Sequence, residues 1–209
     1  MEFSTLEKQA EETAVYLKRR ESFDESQLGI VVSPYRISPL GAHIDHQGGP
    51  VLGMTINART VLAFIPNFDK RVRLYSMNYP GVAEFSIDNI KSPARDDWGR
   101  YAMGAAKALD EYLGIARGFT GALSGSLPSS GLSSSASAGL AYLYALARVN
   151  DQELKPQEYV ELDRRIENDY LRLSNGILDQ TSIVYGKKDT LLYIDTVTRL
   201  TEFRHCSNP

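Results

Sequence analysis

The stretch Ser129–Ala147, SSGLSSSASAGLAYLYALA, limits what this chain can fold into more than any other. A Gly/Ser cluster runs straight into alanine- and leucine-rich helix formers. A flexible linker would stay polar up to a domain boundary, and a membrane span needs about 18 or more apolar residues. Neither description fits, so the cluster belongs to a helix N-terminus. Such an end leaves about four backbone N–H groups unpaired and carries roughly half a positive charge. Gly131 allows close backbone approach to an anion, and the serine hydroxyls add donors. Spacing alone leaves two readings open, a ligand-free serine cap and an anion cradle. The G-K-[ST] ending of a Walker A loop is absent.

Around this element the pattern is α+β, strand-rich first and helix-rich later. Phe3, Leu6, Ala10, Ala14 and Leu17 recur at helical spacing and predict an amphipathic first helix. GIVVS (29–33) reads as a buried strand closed by Pro34. VLGMTI (51–56), VLAFIP (61–66), VRLYSM (72–77) and VAEFSI (82–87) read as a meandering sheet with turns at Asn67–Phe68 and Tyr79–Gly81. A helix is expected from about Asp97 to Leu113, then a short strand GFTGALS and the Gly/Ser-headed helix. KPQEYVELDRRIENDYL predicts a further helix, NGILDQ a loop-like break before more helix, and DTLLYID a strand. We expect residues 1–28 to be a helix and lead-in and 29–209 to be one domain.

Bulk properties exclude several partners. A net charge of −3 over 209 residues argues against general nucleic-acid or acidic-membrane binding. The N-terminus has no uninterrupted apolar core, so no signal peptide is expected. The single cysteine, Cys206, excludes an intrachain disulfide framework and suits a reducing cytoplasm. The sequence does not indicate an oligomeric state.

Two clusters carry chemistry. SPYRISPLGAHIDHQGG (33–49) packs Arg36, His43, Asp45, His46 and Gln47 into a Gly/Pro-bounded loop between apolar strands. Fixed donors and acceptors on a rigid sheet suit a polyol pocket. Zinc on His43, Asp45 and His46 is the weaker reading, because the chain has one further histidine, His205. Farther on, Glu167 and Asp179 flank the break at Asn175–Gly176. Phosphoryl transfer to a hydroxyl needs metal on the phosphates, positive charge near the transferring group and a carboxylate beside the nucleophile.

SSGLSSSASAGLAYLYAL resembles the second motif of the GHMP kinases (galacto-, homoserine, mevalonate and phosphomevalonate kinases). G-L-S-S-S-A, Gly131–Ala136, is in its galactokinase form. Ser129 and Ser130 stand where the family has glycines. The stretch 33–56 resembles the galactokinase signature through Arg36, Gly41, His43, Asp45, Gly48 and Gly49. NGILDQ is similar to the family's G-I-M-D-Q, and WGRY to its W-x-N-Y. The resemblance implies ATP and Mg²⁺, with Ser130, Gly131, Leu132, Ser133, Ser134 and Ser135 around the phosphates. It further implies Glu167 and Ser135 on the metal, Asp179 facing the anomeric hydroxyl as base, and Arg36 stabilising charge. His43 and Asp45 would bind sugar hydroxyls, and Trp98 and Tyr101 would flank adenine. The implied fold is a β-sheet packed with helices, containing a left-handed β-α-β crossover. The family's ferredoxin-like C-terminal domain and third Gly-rich motif are expected to be absent.

Ala42 stands where galactokinases carry a glutamate that contacts the C6 hydroxyl, and His46 replaces a tyrosine. A uronate carboxylate about 4 Å from that glutamate would be repelled by roughly 4 kcal/mol at an effective dielectric near 20. That is about a thousandfold in binding. Ala42 removes the repulsion, and His46 or Gln47 could donate to the acid. The combination looks more like galacturonokinases than ordinary galactokinases. A pentose without C6, such as L-arabinose, D-galactose itself, and a non-catalytic sugar- and ATP-binding regulator stay open.

Overall fold

The computed structural model describes residues 4–42, 44–92, 94, 96–127 and 132–206. The first half holds α1 (Leu6–Lys18), β1 (Gly29–Leu40), β2 (Val51–Asn67), β3 (Arg71–Ser76), β4 (Val82–Ser86) and α2 (Arg100–Leu113). There follow β5 (Gly118–Gly125), α3 (Ser134–Val149), α4 (Pro156–Arg165), α5 (Leu178–Tyr185), β6 (Thr190–Ile194) and β7 (Thr201–His205). The strands make one mixed sheet in the order β4-β3-β5-β2-β6-β7, with β1 paired to β2.

The strand-rich half departs from a meander. The chain does reverse after Asn67 and again between β3 and β4, but β3 does not neighbour β2. β5 lies between them, antiparallel to β2 and parallel to β3. The β3-to-β5 connection, through β4 and α2, is a β-α-β crossover. β5 can take the central place because residues 118–124 are all buried, as a strand covered on both faces must be.

The apolar stretches 51–56 and 61–66 are one 17-residue strand, and Pro34 does not close β1. Pro34 pairs with Arg59 while Tyr35 pairs with Ile56, so Asn57 and Ala58 are extra residues on β2. A bulge of this kind accommodates a residue that has no N–H to give the ladder. Arg59 is buried there, and its guanidinium donates to Asn57 O (3.0 Å) and Asn57 Oδ1 (2.8 Å). β7, which hairpins back on β6, was not expected.

Both faces of the sheet are covered. Ala63, Ile65 and Ala122 meet Ala14 and Leu17 of α1, while Leu62, Phe64, Phe119 and Leu123 face α2 and α3. This alternation explains why VLAFI is apolar without a break. Each fully buried Leu or Phe contributes about 1.5–3 kcal/mol. Buried Gln9 fixes α1 by donating to Ser124 Oγ (3.2 Å) and accepting from Ser126 Oγ (3.0 Å). α2 starts at Arg100 rather than near Asp97, because Asp97 Oδ1 accepts the Gly99 N–H (2.8 Å) and shapes the turn before the helix. The expected long helix from Lys155 onward loosens after Arg165 into a π-turn, Ile166–Tyr170. The second half of NGILDQ is helical, which puts Asp179 in the first turn of α5. Among the described residues no helix is long and apolar enough to cross a membrane.

Candidate active site

Asp179 is the focus of the site. Arg36, projecting from β1, donates from Nε to Asp179 Oδ1 at 2.7 Å and brings a second guanidinium nitrogen to 2.5 Å of the same oxygen. The other carboxylate oxygen, Oδ2, accepts a hydrogen bond from the Ser133 hydroxyl. Ser133 is buried at the head of α3 in the left-handed region, φ 55° and ψ 40°, which costs a non-glycine residue about 1–2 kcal/mol. Two contacts with β1 hold this turn. The Arg36 N–H donates to Leu132 O (3.3 Å) and the Ser137 hydroxyl to Ser33 O (2.8 Å). Strand, serine turn and α5 thus converge on one carboxylate. Ser134 opens α3 beside them, half-buried.

Next to this centre lies Glu167, held inward by the π-turn and almost fully buried. Asn175 Nδ2 donates to Glu167 Oε2 at 2.9 Å, and the Asn175 N–H donates to Asn168 Oδ1 at 3.0 Å, folding the loop back over the turn. The Ser135 side chain interacts with both Glu167 and Tyr101. Burial raises the Glu167 carboxyl above its ordinary range, the Asn175 bond opposes this, and the Asp179 charge adds to it. One carboxylate and one hydroxyl are hard oxygen donors that leave most of a coordination shell to water and phosphate, a combination suited to Mg²⁺.

Asp163 sits one helical turn before Glu167, 1% exposed, with neither carboxyl oxygen hydrogen-bonded. It packs against Gly139 of α3, where an added Cβ would lie 2.2 Å from Asp163 Oδ1. Burial drives its pKa well above the ordinary carboxylate value, with the charges of Glu167 and Asp179 adding to the effect. An unfolded aspartate ionises near pH 3.9, whereas burial makes folded Asp163 hold its proton to higher pH. Stability is therefore expected to fall as pH rises from about 4, by at most about 1.4 kcal/mol per pH unit from this group. Asp163→Asn should flatten that fall in urea-unfolding midpoints taken from pH 4 to 8. An unchanged slope would remove Asp163 as its source.

The loop between β1 and β2 is tied to α5. Asp45 lies in a short 3₁₀ turn, Asp45–Gln47. Its Oδ2 accepts the Leu178 N–H (3.2 Å) and its Oδ1 the His46 N–H (2.9 Å). Ile177, at the N-cap of α5, makes no side-chain cap, so Asp45 does this work from 133 residues away. Gly176 permits it, since a Cβ there would meet Asp45 Oδ2 at 2.1 Å. His46 Nε2 and Gln47 Nε2 lie 3.2 Å apart at the surface, and Ala42, earlier in the same loop, is exposed. Trp98 stacks on Tyr79, centroids 6.2 Å apart and planes 11° from parallel.

The structure therefore brings together Arg36, Asp179, Ser133, Ser135, Glu167 and Tyr101, and links Asp45 to them. His43, Ser130 and Gly131 lie outside the described residues. Trp98 forms a separate aromatic pair, while Ala42, His46 and Gln47 line the loop's outer side. Sequence reasoning missed Asp163, Asn175 and Tyr79. Asp163 had a signal, a charge at i−4 from Glu167 on the apolar stripe of Tyr159, Leu162 and Ile166. Asn175 stood in the quoted NGILDQ but counted only as a helix breaker.

Comparison with known proteins agrees with this geometry. Residues 100–187 match the GHMP kinases N terminal domain, and residues 20–66 the galactokinase galactose-binding signature. A galacturonokinase from Arabidopsis thaliana is 45% identical over 194 residues, covering 84% of this chain and 46% of that protein. A galactokinase from Levilactobacillus brevis is 38% identical over 183 residues, 86% of this chain and 47% of its own. The galactose complex of Lactococcus lactis galactokinase superimposes with a TM-score of 0.87 at 31% identity, over 97% of this chain and 52% of that one. The chain spans about half the length of these relatives. On these matches the chain belongs to the galactokinase branch of the GHMP kinase superfamily and carries its N-terminal domain.

Proposed function

We propose that this domain serves an ATP- and Mg²⁺-dependent kinase that phosphorylates the anomeric hydroxyl of a galactose-configured sugar, with D-galacturonate as the favoured substrate. The observation that carries the reaction class is the Asp179 carboxylate, held by Arg36 next to the head of α3. Asp179 accepts the proton of the anomeric hydroxyl as that oxygen attacks the γ-phosphorus of ATP, giving sugar 1-phosphate and ADP. Arg36 places fixed positive charge where negative charge develops. The N-terminus of α3 offers unpaired N–H groups to the phosphates. Glu167 and Ser135 would hold the divalent cation, which supplies charge neutralisation on the phosphates. Asp45, with His43, would bind sugar hydroxyls, and Trp98, stacked on Tyr79, with Tyr101 would flank adenine. Exposed, free Cys206 suits a reducing, cytoplasmic setting. A regulator that binds without catalysis has little use for an intact Arg36–Asp179 pair.

The substrate assignment rests on Ala42, and the 45% identity to a galacturonokinase supports it. Turnover of galacturonate, galactose and L-arabinose by the full-length polypeptide is the direct test. Galacturonate is expected to have the highest kcat/KM, and a preference for galactose would overturn the assignment. Ala42→Glu should lower kcat/KM for galacturonate on the order of a thousandfold, the repulsion of two charges about 4 Å apart. It should leave galactose turnover equal or improved.

A further inference from the structure

The family resemblance places Ser133 among the phosphate ligands, and three observations point elsewhere. A serine at a helix N-cap ordinarily keeps an extended backbone and uses its oxygen to accept an N–H of the first turn. Ser133 does neither, since it is left-handed and makes no side-chain cap. Its hydroxyl is directed instead at Asp179 Oδ2. Finally, the two β1 contacts fix the backbone on either side of it, through Leu132 and Ser137.

A hydroxyl has a single proton to donate. While that proton is on Asp179, Ser133 presents only lone pairs to its surroundings, and phosphate oxygens are acceptors too. It cannot donate to a phosphate and hold the carboxylate at once. The two contacts that Arg36 makes with Asp179 both fall on Oδ1, so without Ser133 the carboxylate could pivot about that oxygen. With Ser133 on Oδ2 the plane of the group is set from two sides. We infer that Ser133 is a positioning residue for the base Asp179 rather than a phosphate ligand. Its backbone is held in an unfavourable conformation so that the hydroxyl reaches Oδ2. The inference rests on the kinase reading, and the phosphates are left to Ser135 and the α3 backbone.

Ser133→Ala and Ser133→Gly in the full-length polypeptide test this. Alanine removes the hydroxyl and keeps the strained backbone, whereas glycine removes the hydroxyl and relieves the strain. Both should lose about 10- to 100-fold in kcat, as expected when a reacting group is misplaced. The ATP KM, and the calorimetric Kd of the analogue AMPPNP with Mg²⁺, should stay within about twofold of wild type. The glycine variant should unfold at a higher midpoint than the alanine variant while losing the same kcat, which separates the catalytic loss from instability. A tenfold or greater rise in the analogue's Kd would return Ser133 to the phosphates and overturn the inference, as would an unchanged kcat in both variants. Wild-type inactivity on galacturonate, galactose and L-arabinose would sink the kinase reading itself. In that case the calorimetric comparison still decides whether Ser133 is a phosphate ligand.

Discussion

Asp179→Asn is expected to lower kcat by about 10²- to 10⁴-fold, the range for loss of a positioned general base, while nucleotide affinity stays near wild type. Asparagine has nearly the shape of aspartate, so the partners need not move. Its carbonyl oxygen can take the Arg36 bonds now made by Oδ1 at 2.7 and 2.5 Å. Its amide then donates to the Ser133 oxygen, and the hydroxyl rotates to suit. What is lost is a group able to accept the proton of the attacking hydroxyl. Single-turnover rates at saturating sugar and ATP, with calorimetric titration of AMPPNP, provide the check. A variant that keeps more than a tenth of wild-type kcat would mean Asp179 is not the base.

Arg36→Gln should cost about 10²- to 10³-fold in kcat, comparable to removing one preorganised donor from a developing oxyanion. Unlike Asp179→Asn, it should also cost stability. Arg36 and Asp179 have side-chain exposures of 13% and 25%, so the pair is mostly shielded. Among the described residues, removing the cation leaves the carboxylate with the Ser133 hydroxyl as its hydrogen-bond donor, a penalty of about 1–3 kcal/mol. Urea unfolding reads that loss separately from turnover. The double variant Arg36→Gln/Asp179→Asn should recover part of the lost stability and none of the activity, because the unpaired charge is gone. Full activity in Arg36→Gln would remove the residue from the chemistry.

What could be read from the sequence follows a physical boundary. Local pattern sufficed where the structure is local, as in the Gly/Ser head of α3, the helical spacing of α1 and the breaker at Asn175–Gly176. Arg36, Glu167 and Asp179 were legible because their neighbours in sequence form motifs. Features set by partners far along the chain were not. The merging of two apolar stretches into β2 depends on a bulge opposite Pro34, which only pairing with β1 creates. The position of β5 between β2 and β3 is decided by which face must be buried twice. Ser133 looked like its neighbouring serines because nothing local says that its hydroxyl faces a residue 46 positions later. Asp163 reads as one more helix carboxylate until α3 closes over it at Gly139.

The Asp45 cap on α5 has a consequence for how specificity can change in such enzymes. One carboxylate belongs to the loop between β1 and β2 and also caps the first turn of α5, which carries Asp179. On the proposed kinase reading, a substitution at 45 would therefore alter sugar recognition and the placement of Asp179 together, and selection on one property would be selection on both. Ala42, His46 and Gln47 are exposed on the same loop, and none of the three caps α5 among the described residues. On that reading, changes of substrate should come at these exposed positions rather than at Asp45.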